Sequence, residues 1–306
     1  NDRGMLRPAP SPIYTLRGAG GPLNTLHFSC KGGNTPLLFS GSGKGAIHVW
    51  NLNTRRAEKT VEGHSGRFAC SQGRDMQVCL WDLSEGRSEV TDSVWTGSVG
   101  FCQCSVLETS SSARLLAFAG HQTEEIKIIE LPGKTPVCTL VPDAKLGMVM
   151  CIKLWQPDSG HGPLLLAGYE DGSLLLWDVT QRSALSRVKA HPEPVMCLTF
   201  DLRCLRGVSG SSEKQLSAWM LDGQNNLQVS RGHTEGGKAD GKLLASAGWD
   251  HRVRIFGWKK LRPLAVLQYH TDMVLSVAFS DHQDPGHRLL AAGSKDHRIS
   301  LYSPSA

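Results

Sequence analysis

The sequence predicts an all-β protein made of seven repeated antiparallel sheets. Three observations carry this. Glycine and proline break the chain too often for helices: 33 Gly and 15 Pro in 306 residues leave one breaker every 6.4 residues. A mean helix needs about 11–12 uninterrupted residues. Apolar and polar residues alternate over short runs such as Ile47-His48-Val49-Trp50 and Val253-Arg254-Ile255-Phe256, the period of a half-buried strand. Finally, one pattern recurs along the chain. Small residues lead into a turn, and six residues after the turn residue a large apolar side chain ends an alternating strand.

The copies run in order. Repeat one pairs Lys44 with Trp50, and repeat two Asp75 with Trp81. Repeat three, Thr123 with Ile129, keeps only the strand. Repeat four pairs Asp171 with Trp177, and repeat five Glu213 with Trp219. Repeat six pairs Asp250 with Phe256, and repeat seven Asp296 with Tyr302. The ends at 50, 81, 129, 177, 219, 256 and 302 have a mean spacing of 42. A turn His precedes most of them, in Gly63-His64, His191, Gly232-His233 and His270. Repeats of about 40–45 residues with Gly-His and Trp-Asp (here Trp81-Asp82 and Trp177-Asp178) are the signature of a WD40 blade of four strands. The expected architecture is one seven-bladed WD40 β-propeller over 13–303, with tails at 1–12 and 304–306. A strand at about Ile13 to Arg17 precedes repeat one. It is expected to close the ring by pairing with the last blade, because an open ring exposes strand edges.

The residue types suit a buried hydrogen-bond chain, since buried polar groups must be paired and such networks specify one arrangement. Repeat two supplies His64, Ser71, Asp75 and Trp81. Repeat six supplies His233, Ser246 and Asp250, with Phe256 in the Trp place. Repeat four (Asp171, Trp177) and repeat seven (His270, Asp296, Tyr302) carry Ala167 and Ala292 where the Ser belongs. Their networks are expected to be incomplete. All of these residues read as structural.

Two repeats are short. From His to acid is 26 residues in repeat seven but only 11 in repeat two and 17 in repeat six. A strand and its turn cannot be dropped without exposing a neighbour. The shortfall predicts residues absent within 66–71 and 234–238, from a natural chain longer by some tens of residues.

Composition narrows function. A net charge of +5 is mild, and the densest basic runs are the pairs Arg55-Arg56 and Lys259-Lys260, so nucleic-acid binding is not expected. Nine scattered Cys without a CxxC pair read as buried free thiols of a reducing compartment rather than zinc ligands. No stretch reaches 18 apolar residues, and 1–12 lacks the apolar core of a signal peptide. The expectation is a cytoplasmic and nuclear chain with no membrane contact.

Catalytic motifs fail on inspection. Gly41-Ser42-Gly43-Lys44-Gly45 resembles a phosphate loop, but Leu38 and Gly45 stand where Gly and Ser/Thr are required. There is no Gly-x-Ser-x-Gly elbow and no His-Glu-x-x-His. Glu124 and Glu125 adjoin and would face opposite sides of a strand. His282 and His287 suit a polar loop. No catalytic residue, cofactor or metal is expected.

Partners should meet the loops of one face, near the residue before each turn acid: Gly43, Arg74, Gln122, Glu170, Ser212, Trp249 and Lys295. The candidate partner-binding residues are Arg74, Tyr169, Glu170, Trp249, Arg252 and Lys295. Trp249 stands out because Trp, Tyr and Arg dominate interface energetics. Trp258 suits local packing.

Six strings are more specific than the repeat: SVGFC (98–102), LLLAGYEDGSLLLWDV (164–179), HPEPVM (191–196), AGWDHRVRIFGW (247–258), PLAVL (263–267) and LAAGSKDHRIS (290–300). With these the chain resembles the guanine-nucleotide-binding protein β-subunit-like protein 1 family, whose fungal relative is ASTRA-associated protein 1. The resemblance runs from about Pro12 to Ser303. It implies a non-enzymatic scaffold rather than a heterotrimeric G-protein subunit. It also implies partners in the ASTRA and Tel–Tti cochaperone machinery, which matures phosphatidylinositol-3-kinase-related kinases. The protein is expected to be monomeric by itself. The alternative from the residues is a WD40 reader of histone tails or a receptor for ubiquitin-ligase degrons.

Overall fold

A computed structural model describes residues 10–29, 37–58, 68–82, 89–109, 113–158, 160–201, 204–212, 215–230, 243–280 and 288–303. Among these every regular element is a strand. β1 (Tyr14–Leu16) comes first. Blade one is β2 (Leu23–Ser29), β3 (Leu37–Ser42), β4 (Ile47–Asn51) and β5 (Arg56–Glu58). Blade two is β6 (Phe68–Gln72), β7 (Gln77–Asp82) and β8 (Glu89–Trp95). Blade three is β9 (Ser105–Glu108), β10 (Arg114–Ala119), β11 (Ile126–Leu131) and β12 (Thr135–Leu140). Blade four is β13 (Val149–Trp155), β14 (Leu164–Tyr169), β15 (Ser173–Asp178) and β16 (Ser183–Lys189). Blade five is β17 (Val195–Phe200), β18 (Arg206–Ser211), β19 (Leu216–Leu221) and β20 (Leu227–Ser230). Blade six is β21 (Leu243–Ala247), β22 (Arg252–Gly257) and β23 (Arg262–Gln268). Blade seven is β24 (Val274–Phe279), β25 (Leu290–Ser294) and β26 (Ile299–Tyr302). Each blade is an antiparallel sheet in chain order. These are the seven blades of a WD40 β-propeller, the fold class the repeat predicts.

The N-terminal strand does what its position suggested. β1 pairs antiparallel with β26, Tyr14 opposite Leu301 and Leu16 opposite Ile299, and so completes blade seven. The two short repeats are blades two and six, and among the described residues each has three strands. β6 carries Ser71 and β21 carries Ser246, the positions that Ser40 takes on the second strand of blade one. The missing place is therefore that of the first strand. The stretches before them, 59–67 and 231–242, lie outside the described residues. With them go His64, His233, all of 234–238 and the first two positions of 66–71.

The described chain divides into two compact units. One holds 1–69, 82–89 and 242–306, and the other 70–81 and 90–241. In the first, Leu23, Leu26, Phe28, Leu38 and Trp50 pack with Ala291, Ile299 and Leu301. A second group joins Val253, Ile255 and Leu267 to Val274, Leu290 and Tyr302. In the second unit, blades three and four share a core through Ile126, Ile128, Leu140, Leu146, Leu154, Leu165 and Trp177. Trp155, Leu166 and Leu176 join Trp219 and Leu221 of blade five.

Repetition extends to backbone detail. The first strands of blades one, four, five and seven all slip register after their first residue, a bulge that adds twist where a strand begins. In blades one, two, four, six and seven the residue after the turn acid or its equivalent is left-handed: Gly45, Met76, Gly172, His251 and His297. Only Gly adopts this region without a Cβ penalty. At Gly172 (φ +91) a Cβ would also lie 2.1 Å from the His191 carbonyl oxygen. His251 is exposed at φ 69, where glycine relieves strain. The pair should respond with opposite signs. His251→Gly is expected to raise the unfolding free energy by about 1 kcal/mol, while Gly172→Ala lowers it by about 3 kcal/mol. Denaturant titration checks both.

Candidate partner-binding surface

The polar networks come first because they fix the turns. In blade one the Trp50 indole N–H donates to Ser40 Oγ at 2.8 Å, both buried. Blade two repeats this, with Trp81 Nε1 to Ser71 Oγ at 2.9 Å. In blade five His191 Nε2 meets Ser209 Oγ at 2.8 Å. Burial holds the His191 imidazole below its usual pKa. Blade seven meets the expectation of an incomplete network only in part: the Tyr302 hydroxyl is buried without a hydrogen-bond partner among the described residues, but the place of the missing Ser is taken. His270 Nδ1 donates to Asp296 at 2.9 Å, and His270 Nε2 meets Ser300 Oγ at 2.7 Å. Ser300 sits directly opposite Ala292 in the sheet, so the hydroxyl comes from the neighbouring strand.

Blade four has no such substitute. Ala167 faces Leu175, and Trp177 Nε1 and Tyr169 Oη are buried without a hydrogen-bond partner. Burial raises the Tyr169 phenol. Asp171 instead accepts from Ser173 through its N–H and Oγ, each at 2.8 Å, and pairs with Arg187 at 3.5 Å. Blade six differs from its expected chain as well. Asp250 is exposed and clamped by Arg254 at 3.0 and 2.5 Å, and this guanidinium holds its carboxyl below the usual range. Phe256 and Ser246 are half-buried neighbours of that turn's strands. Asp75 is exposed and accepts the Gln77 N–H.

The loops that lead into the blades are stitched to these turns. In the first unit Gly248 O accepts Val274 N–H at 3.1 Å, and Met273 O accepts Lys295 N–H at 2.9 Å. This links the turn of Trp249 and Arg252 to that of Lys295. All three are exposed, Trp249 at 59%. In the second unit Met76 O accepts Thr96 N–H, Thr123 O accepts Val149 N–H, and Met148 O accepts Glu170 N–H. Arg74 and Glu170 are exposed there. Tyr169 is not a surface residue: at 0% exposure it is part of the core. Every residue of β14 is buried, so its last side chain packs inward. Trp258 is buried, as local packing requires.

Glu124 and Glu125 lie in a turn rather than a strand and serve different partners. Glu124 accepts the Leu146 and Gly147 N–H groups. The buried Glu125 pairs with His121 at 3.4 Å and Lys127 at 3.8 Å. Among the described residues no group of three or more His, Cys, Asp or Glu is placed to hold a metal. Eight described Cys are free thiols; Cys102 and Cys138 are buried, whereas Cys197 is exposed rather than buried as expected. No described helix is long and apolar enough to cross a membrane.

The residues that motif spacing missed are three exposed side chains: Trp95 at the end of β8, and Val99 and Phe101 in the loop from β8 to β9. The signal for Val99 and Phe101 was the SVGFC string at 98–102, which does not reach Trp95.

The model of the WD domain, G-beta repeat, matches residues 134–178 and 261–303. Guanine nucleotide-binding protein subunit beta-like protein 1 of Mus musculus is 48% identical, covering 98% of both chains. The chain belongs to the guanine nucleotide-binding protein subunit beta-like protein 1 family. More distant similarity extends to ASTRA-associated protein 1 of Schizosaccharomyces japonicus, at 26% identity over 96% of this chain and 98% of the relative. The same protein of Schizosaccharomyces pombe is 25% identical with the same coverage. Within the beta-like protein 1 family the lengths are informative. The mouse alignment spans 324 positions, while 98% of this chain is about 300 residues, so about 24 positions have no counterpart here.

Proposed function

We propose that this protein is a non-enzymatic adaptor in the ASTRA and Tel–Tti cochaperone machinery, supporting maturation of phosphatidylinositol-3-kinase-related kinases in cytoplasm and nucleus. The observation that carries the proposal is similarity over nearly the whole chain to proteins named for association with ASTRA, at 96% coverage. A WD40 propeller is a protein-interaction platform, and its loops present the contact residues. Trp249 is the anchor, with Arg252 and Lys295 on the linked turns, and Arg74 and Glu170 serve the other unit. A solvent-exposed Trp offers a large contact area of the kind that dominates interfaces.

Trp249→Ala is therefore expected to weaken binding of purified Tel–Tti components by about 2 kcal/mol, with an unchanged thermal transition because the ring is exposed. Equal binding by variant and wild type removes Trp249 from the surface. A lowered thermal transition assigns it to packing instead.

A further inference from the structure

We infer that the segment Trp95–Phe101 is a docking surface for a protein segment that presents an apolar anchor flanked by arginine or lysine. The inference rests on the chain being a binding scaffold, but not on which machinery it serves.

Trp95, Val99 and Phe101 are 67%, 66% and 68% exposed. Elsewhere among the described residues, large exposed apolar side chains do not gather three to a seven-residue stretch. Single exposed apolar residues are ordinary, but clusters mark interaction sites. Together these three expose on the order of 400 Å².

The segment is held in shape. Buried Thr96 donates to Met76 O from both its N–H, at 2.8 Å, and its hydroxyl, at 3.1 Å. Ser98 N–H donates to Thr96 Oγ1, and Gly100 N–H to Ser98 Oγ. Gly97 has φ +73, and a Cβ there would stand 2.9 Å from both His121 Cβ and the Trp95 ring. Glycine thus leaves room for the Trp95 ring and for His121 on either side of the backbone. Gly100 approaches Met148, whose N–H donates to Glu170. The backbone that carries the apolar side chains is held before a partner arrives, which lowers the ordering cost of binding.

Charge decides what fits. Asp75, Glu124 and Glu170 lie on the turns that meet the segment through Met76, His121 and Met148, against Arg74. On the blade-three turn beside Gly97, His121 and Lys127 are paired with Glu125. The chain as a whole carries +5, so this rim is acidic on a basic molecule. An apolar patch with an acidic rim repels anionic lipid and nucleic acid and attracts a basic-apolar segment.

The test uses a displayed library of random peptides, selected on the full chain and counter-selected on the Trp95→Ser/Phe101→Ser double variant. Enriched peptides should share an apolar residue beside Arg or Lys. A synthetic consensus peptide should lose about 30-fold in affinity on the double variant. Raising NaCl from about 0.05 M to about 0.5 M should weaken it on the wild type. Val99→Lys keeps both aromatics, should give a similar loss by repulsion, and guards against misfolding of the double variant, which circular dichroism monitors. An acidic consensus, no enrichment, or equal binding to wild type and both variants overturns the inference. So does a wild-type dimer in sedimentation that the double variant abolishes. No Tel–Tti component enters this experiment, so its failure leaves the cochaperone assignment standing.

Discussion

Asp296→Ala is expected to lower the unfolding free energy by about 4 kcal/mol. The carboxylate accepts from His270 Nδ1, from Thr271 N–H at 3.1 Å and from Arg298 N–H at 3.0 Å. Because a carboxylate only accepts, Nδ1–H is the donor, and in the neutral ring Nε2 accepts from Ser300. Deleting the acid leaves a buried imidazole N–H and two turn N–H groups without their acceptor. Burial alone would raise the Asp296 carboxyl, but the donors led by His270 outweigh it and hold the group below its ordinary value. The sign follows: the unfolded chain takes up the proton first. Asp296 therefore stabilises fully above the ordinary carboxylate pKa of about 4, and its contribution fades as pH falls through the lower native value. Denaturant titrations of wild type and Asp296→Asn across acid pH should show a shallower slope in the variant. Equal slopes would mean that the three donors do not favour the charged form.

The second large effect is a contrast between two buried indoles. Trp50→Phe removes an N–H that Ser40 accepts at 2.8 Å in a fully buried pair. It leaves both a void and an unpaired hydroxyl, a loss of about 3 kcal/mol. Trp177→Phe removes an N–H that has no acceptor, so only the void remains, at about 1 kcal/mol. Ala167→Ser should restore the missing acceptor in blade four and widen the cost of Trp177→Phe. Similar costs for the two Phe variants would show that the Ser40 hydroxyl contributes nothing.

Much of this architecture was legible from spacing. A period of 42 with an acid six residues before an aromatic marks a turn and the strand after it, because the acid accepts the N–H two residues on, as Asp171 does from Ser173 and Asp296 from Arg298. The pairing of β1 with β26 followed from the need to cover an edge. Spacing cannot see across a sheet, however. It sought a hydroxyl ten residues before the aromatic and found Ala292, while Ser300 stands opposite on the next strand. For the same reason the blade-four gap is real, since Leu175 stands there. Tyr169 was misplaced because an aromatic beside a turn looks like a surface residue. Only burial of the whole of β14 shows it inside. Val99 and Phe101 escaped for the converse reason. Loop side chains point outward or inward according to which N–H groups hold the loop, here those of Thr96, Ser98 and Gly100.

The adaptor proposal is tested most directly by depleting the protein rapidly from cells and following newly made phosphatidylinositol-3-kinase-related kinases by pulse–chase labelling. The account predicts that these kinases are made at the normal rate and then degraded faster, with wild-type protein restoring their half-lives and Trp249→Ala failing to do so. Unchanged kinase half-lives after complete depletion would contradict it.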